Sequence, residues 1–323
     1  MNVYKAAIFI FTKDRPKTLC STLKSIQNTP HKLYIVDDSV NIVNQVSVLD
    51  LCNNYSNCTY LGKAEFKKFV SEFNISFPEF SFLLRDLGEP SWNLGYARNF
   101  AMMYSKAKHF ENILFMDDDI QAPNVNLITK LFQLLGEYKF VGANIEGLVD
   151  DSALGHIATD VEVVNERMLS GGFMAYNPNK IDHFFFNNYN EDWIWLFLQL
   201  KDDRYLQTGE VFQELSDPLF NYKEKIIFQE FGEIALDGIL DLYKEGSYDS
   251  LIQLSFWERM IQEREEYLEL LASKAHNTDN TKSLEIVSWV KNNSEKFNAE
   301  LFRKLFEDYF TNRIKFIQLY SSL

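Results

Sequence analysis

The amino-acid sequence predicts an α/β fold: a mostly parallel sheet flanked by helices, with a helical C-terminal region. Three observations carry that prediction. Unbroken apolar runs at residues 6–11, 33–36 and 113–116 read as strands buried on both faces, as parallel strands are. The intervals between the early runs hold helix-spaced apolar residues, so the chain opens β-α-β-α-β and needs right-handed crossovers. Beyond about residue 202 strand signals fade, and long amphipathic stretches rich in Glu and Lys take over. Two parts are therefore expected: a sheet domain over residues 1–205 and a mainly helical region over residues 206–323.

In chain order, AAIFIF at 6–11 is the first strand. Pro16 then suits the first turn of a helix over 17–27, with Thr12 or Asp14 near its cap. The second strand, 33–36, ends in Asp37-Asp38-Ser39; a helix over 42–53 and a strand at 59–61 follow. Residues 63–73 read as helix, and 80–84 as a candidate short strand. The segment Trp92-Asn93-Leu94-Gly95-Tyr96-Ala97-Arg98-Asn99 opens a helix running to 106. Strand 113–116 leads without a break into Asp117-Asp118-Asp119. A helix over 125–135, a strand at 140–145, a polar mobile loop at 150–160 and a strand at 161–164 are expected next. Ser170-Gly171-Gly172 precedes an apolar run, where paired glycines let backbone lie against something bulky. Asn190-Glu191-Asp192 opens an apolar helix over 193–200, with Asp192 at or near the N-cap. After a strand signal at 210–215, helical patterns cover 223–243, 250–272, 281–291 and 299–320.

The 323 residues carry a net charge of −14. Basic and acidic residues balance at 13 each up to Ile120, so the acidic excess lies in the later part. Such a chain is a poor candidate for nonspecific nucleic-acid binding. Three cysteines without zinc spacing point to free thiols in a reducing compartment. The first apolar run is too short for a signal peptide, and no stretch reaches the roughly 20 apolar residues of a membrane span. A cytoplasmic protein is expected, for which self-association or a peripheral membrane contact stays open.

The three consecutive aspartates carry the chemistry. On an extended chain Asp117 and Asp119 point to one side and Asp118 to the other. Like charges side by side repel until a proton or a cation intervenes, and Mg²⁺ or Mn²⁺ prefers such oxygen ligands. The plainer alternative is a solvated acidic turn after a core strand. Ligands of parallel sheets bind beyond the carboxyl ends of strands, which puts Thr12–Arg15, Asp37-Asp38 and Asp117–Asp119 on one rim. Arg98 lies in the first turns of its helix, where anions are favoured, although a surface ion pair would also explain it. His156 and His276 could add a metal ligand, but single histidines are more often structural. Trp92, Tyr96, Trp193 and Trp195 could stack on sugars or fill the core.

Taken together and in order, the Asp pair, the N-L-G-Y-A-R-N segment, D-D-D, Gly-Gly and Glu-Asp resemble the GT-A glycosyltransferases, in particular the family-2 nucleotide-sugar enzymes. The resemblance covers residues 4–200. It implies the GT-A, Rossmann-like form of the sheet, a nucleoside-diphosphate sugar donor (uridine diphosphate first, guanosine diphosphate next) and a Mn²⁺ or Mg²⁺ cofactor. Thr12, Arg15, Asp37 and Asp38 would line the nucleotide pocket, and Arg98 would sit near the base or diphosphate. Asp119 would ligate the metal, Asp117 the metal, its water or the ribose, and Asp118 would belong to the same donor site. Gly171 and Gly172 would floor the sugar site. Asp192 would be the base of an inverting transfer, with Glu191 its neighbour or substitute. The acceptor stays open among glycans, lipid-linked sugars, peptides and small molecules. The Thr12–Pro16 opening departs from the family pattern. A retaining enzyme, a nucleotidyltransferase and a noncatalytic binding relative are the alternatives; the lack of glycine in residues 10–15 counts against the nucleotidyltransferase.

Overall fold

The computed structural model describes residues 5–84, 94–121, 123–146, 152–161, 169–200, 204–213 and 223–323. Its strands are β1 (Ala6–Thr12), β2 (Lys32–Asp37), β3 (Cys58–Leu61), β4 (Asn112–Asp117), β5 (Ile120–Gln121), β6 (Phe140–Glu146), β7 (Phe173–Tyr176) and β8 (Tyr205–Gln213). They form one sheet in the order β3-β2-β1-β4-β7-β6-β8-β5. The run β3-β2-β1-β4 is parallel throughout. Strand β7 is antiparallel to both neighbours, β6 and β8 are parallel, and β5 runs against β8.

Register puts the polar strand ends level with one another. Thr12 stands opposite Asp37, and Phe11 opposite Asp117. Because β7 runs the other way, its first residues meet the last residues of β4, with Phe173 opposite Met116. The Asp117 N–H accordingly donates to the Gly172 carbonyl at 2.9 Å.

Helices cover both faces. Leu19 and Leu23 of α1 (Pro16–Ser25) and Val48 of α2 (Ile42–Asn53) pack with Ile8, Ile10, Leu33 and Ile35 on one side. On the other lie α3 (Lys63–Glu72), α4 (Phe77–Phe80), α5 (Leu94–Ala107) and α8 (Glu191–Leu200). Here aromatics dominate: Phe185 stacks on Trp195 at 4.3 Å, and the Trp195 indole N–H donates to the His183 carbonyl at 2.9 Å. Each such side chain stabilises by about 1.5–3 kcal/mol on burial. Between the remaining strands run α6 (Val125–Leu134) and α7 (Ala153–Asp160).

The last part of the chain is helical, as its sequence predicts: α9 (Lys223–Glu245), α10 (Leu254–Asn277), α11 (Thr281–Asn293) and α12 (Ala299–Ser322). Tyr309 of α12 packs on Phe184 and Phe186 at 4.4 and 4.1 Å, so this region extends the aromatic core of the sheet. No helix of the described residues is long and apolar enough to cross a membrane.

Five local readings of the sequence change in the structure. Residues 153–160 form α7 rather than an irregular loop: Ser152 caps it by accepting from the Gly155 N–H, and Leu154, Ile157 and Ala158 bury against α10 and α11. Of the strand expected at 161–164, Val161 ends α7 and the rest lies outside the described residues. The stretch 80–84 is the end of α4 and a turn, not a strand. Neither Thr12 nor Asp14 caps α1; Arg15 occupies the N-cap position without a side-chain bond. The strand signal at 210–215 begins earlier, as β8 from Tyr205, and residues 214 and 215 lie outside the described residues.

Candidate active site

The site is built from the strand ends and from two glycines. Asp192, the second residue of α8, accepts a hydrogen bond from the Gly171 N–H at 2.7 Å. A Cβ on Gly171 would lie 2.6 Å from the Asp192 Cβ and 2.9 Å from the Arg98 Cζ. A Cβ on Gly172 would lie 2.9 Å from Asp117 Oδ2. The paired glycines are therefore what lets Asp192, Arg98 and Asp117 crowd one point, in keeping with the close approach expected of them.

Arg98 sits at the centre of that point and is 2% exposed. Its helix is pinned by the next residue, Asn99, whose amide exchanges two hydrogen bonds with the Phe185 backbone. The guanidinium bonds Glu191 at 2.7 Å, while Asp117 and Asp192 lie at 3.7 and 3.8 Å, beyond hydrogen-bond reach. Burial pushes the carboxyls of Glu191 and Asp117 up, against the pull of Arg98. Among the described residues the Arg98 Nε has no hydrogen-bond partner. Buried polar atoms in that condition are uncommon in folded proteins.

The aspartate triplet does not alternate as an extended chain would. Strand β4 ends at Asp117, and Asp118 and Asp119 form a turn into β5. Asp117 thus joins the Arg98 group, while Asp118 and Asp119 share Arg15. Asp118 has no exposed surface; it accepts from the Thr12 hydroxyl at 2.6 Å and pairs with Arg15. Its own burial lifts its carboxyl to about 7, with Arg15 and Thr12 opposing. Asp119 accepts from Arg15 at 3.0 Å and from the Gln213 side chain at 3.1 Å. The Arg15 side chain is 43% exposed, the most open of the described partners of this group.

Asp37 and Asp38 stand at the next strand end. Asp37 is held inside the protein by the Ser39 N–H and the Tyr60 hydroxyl, both at 2.9 Å. Asp38 pairs with the exposed Lys13 ammonium at 3.1 Å and faces the rim. Burial raises both carboxyls. The loop between β1 and α1 is fastened by Asp14, in the left-handed region at φ 55°, whose carboxylate accepts from the Val40 and Asn41 N–H groups.

The expected residues therefore gather around Arg98 and around Arg15, with Asp37 and Asp38 at the next strand end. Lys13, within the Thr12–Arg15 stretch expected on the rim, takes part through Asp38, and Tyr60 and Gln213 join without having been anticipated. Gln213 carries no local signal and arrives through the pairing of β5 with β8, opposite Ile120. Trp195 is core, and Trp92 lies outside the described residues. His156 lies on α7 and His276 near the end of α10.

Among the described residues no three acidic, His or Cys side chains form a ready metal cage. The donor set still suits a hard cation that takes its remaining ligands from phosphate and water. Asp119 is among the charges that raise Asp117, a repulsion that a shared divalent ion relieves. Residues that fit such an ion are Asp117 and Asp119, the latter on release from Arg15.

No family model and no curated protein matches the chain. Among solved structures it is similar to glucosyl-3-phosphoglycerate synthase from Mycobacterium tuberculosis. The complex with Mn²⁺, UDP-glucose and phosphoglyceric acid has a TM-score of 0.49 at 14% identity, over 77% of this chain and 82% of that one. The complex with Mg²⁺ and UDP has a TM-score of 0.47 at 14% identity, over 77% and 82%. The likeness is distant in sequence and partial in shape.

Proposed function

We propose that this chain is a GT-A-type glycosyltransferase, which binds a nucleoside-diphosphate sugar, with uridine diphosphate the first candidate, at the strand-end rim and moves the sugar to an acceptor hydroxyl with inversion. The observation that carries the reading is the meeting of Asp192 with Gly171, Arg98 and Asp117, from four separate parts of the chain, at a point with no room for a Cβ. Such crowding is costly to build and suits a reaction centre.

Asp192 is the base. It keeps part of its surface open, at 16%, while the Gly171 N–H fixes its orientation. Its carboxylate takes the acceptor hydroxyl proton as that oxygen bonds to the anomeric carbon and the bond to the diphosphate breaks. A positioned base of this kind contributes about 10²–10⁴-fold. Glu191 is bonded to Arg98 and buried, which favours it as the residue that holds Arg98 in place rather than as the base. Asp38 and Lys13 face the nucleoside, and Arg15, once off Asp119, faces the diphosphate. A Mn²⁺ or Mg²⁺ ion held by Asp117 and Asp119 would offset charge on the departing diphosphate.

The test is Asp192→Asn, assayed for donor binding by calorimetry and for transfer with a panel of acceptors. Retained binding with transfer lowered by about 10²-fold or more supports the assignment. Transfer within a few-fold of the native protein removes Asp192 as the base.

A further inference from the structure

We propose that the outer face of α1 and α2, beside the donor rim, docks on the surface of an anionic lipid bilayer. The apolar component is unusual for a charged protein. Ile42 and Val43 are 66% exposed, Val40 54%, Val46 49% and Leu49 39%. On α2 Ile42, Val43, Val46 and Leu49 recur about one helical turn apart and form a stripe facing solvent, with Val40 just before the helix, while Val48 and Cys52 are buried. Scattered exposed apolar residues are ordinary, but a contiguous stripe marks an interaction surface.

Charge selects the occupant. Helix α1 packs beside α2 on the same face of the sheet, carries no acid, and exposes Lys17, Ser21 and Lys24 on one side. Along α1 and α2, Lys17 and Lys24 stand against one acid, Asp50, whereas the whole chain holds 32 Lys and Arg against 46 Asp and Glu. Of the acids near this face, Asp14 and Asp37 are turned to backbone and side-chain donors of the protein, and Asp38 pairs with Lys13. An anionic surface therefore repels most of this protein and attracts this flank, which fixes the orientation of docking. A second copy placed face to face would instead bring the lysines of both copies together. Apolar insertion flanked by lysines is how interfacial helices bind lipid.

The docking face adjoins the site through a short connection. The Val40 and Asn41 N–H groups, at the start of α2, donate to Asp14 between Lys13 and Arg15. Docking is separate from the transferase reading, since vesicle binding and nucleotide binding are measured independently and either can fail alone.

The experiment is flotation of the full chain with vesicles of phosphatidylglycerol and phosphatidylcholine in equal parts, against phosphatidylcholine alone, at low and high salt. Binding to the anionic vesicles at low salt is expected, weakened by salt and absent with phosphatidylcholine. Lys17→Glu and Lys24→Glu should each weaken it by about fivefold or more. Ile42→Asp and Val46→Asp should abolish it, with unchanged melting temperature because both side chains are exposed. Ile314→Asp, at an apolar residue 62% exposed on α12, is the control and should bind as the native chain does. No flotation with anionic vesicles at low salt overturns the proposal, as does flotation that Ile42→Asp and Val46→Asp leave intact. A dimer in sedimentation velocity that Ile42→Asp dissociates, without flotation, overturns it too and assigns the face to a second copy.

Discussion

Two buried arginines, Arg98 on α5 beside the sheet and Arg264 on α10 among the C-terminal helices, differ in how well their partners satisfy them. Arg264 on α10 bonds Glu230 through two nitrogens, both at 2.8 Å, and reaches Asp237 at 3.3 Å. Among the described residues Arg98 has one close bond, two carboxylates just out of reach and an unpartnered Nε. The first is a closed bidentate pair of the kind that fixes structure. The second leaves Asp117 and Asp192 beyond hydrogen-bond reach of the guanidinium that lies between them. The contrast teaches that burial of an ion pair does not mark function; incomplete satisfaction next to a crowded backbone does.

The contrast can be broken by mutation. The largest effect is expected for Asp192→Asn, which should cut transfer by about 10²–10⁴-fold while donor binding persists. Arg264→Ala should act on stability alone. Removing one member of a buried pair costs about 3–5 kcal/mol, and urea unfolding should show it with the per-molecule activity of the folded fraction unchanged. Loss of turnover beyond the loss of folded protein would put Arg264 in the site and erase the distinction.

Gly171→Ala ranks next. The added methyl meets Asp192 and Arg98, so about 1–3 kcal/mol of stability and most transfer activity should be lost together. Gly136→Ala is the matched control: its Cβ would meet only the Gln133 carbonyl, at 3.7 Å, and stability should stay within about 0.5 kcal/mol. A harmless Gly171→Ala would contradict the crowding on which the site rests.

The pH dependence sharpens the same comparison at smaller amplitude. Burial raises the Asp118 carboxyl from 3.8 to about 7 and raises Asp117 and Glu191 as well. A carboxyl raised in the folded state binds its proton more tightly there. Its stabilising contribution is complete below the unfolded value and is lost as pH rises through the folded one. The ligand-free protein should therefore melt higher near pH 5 than near pH 8, and Asp118→Asn should flatten that slope. A melting temperature that climbs from pH 5 to pH 8 would mean that these carboxyls are not raised.

Much of this arrangement could be read from the residues. Strand ends at Thr12, Asp37 and Asp117 follow from apolar runs that stop at polar residues, and the parallel order then forces them onto one rim. Gly171-Gly172 and Glu191-Asp192 were legible as a backbone that something approaches and a helix start that carries acids. What the chain pattern hid was long-range. The turn after Asp117, which separates it from Asp119, depends on β5 pairing with β8, a contact between residues more than 90 apart. Helix α7 was hidden because the acids at 150, 151 and 160 suggest a solvated loop, whereas Leu154, Ile157 and Ala158 bury against helices that come much later in the chain. Arg98 could be singled out by motif, but its burial against Glu191 could not, since only the folded α5 and α8 bring them together.

The most direct measurement is a thermal-shift titration of nucleoside diphosphates, each with and without Mn²⁺, on the native chain and on Asp119→Asn. A ligand at 100 times its dissociation constant stabilises by about 2.7 kcal/mol, which is readily seen. The account predicts a Mn²⁺-dependent shift with one diphosphate, uridine diphosphate first, that Asp119→Asn removes. No shift with any diphosphate, or a shift that Asp119→Asn and chelator leave intact, would contradict a metal-assisted donor site at this rim.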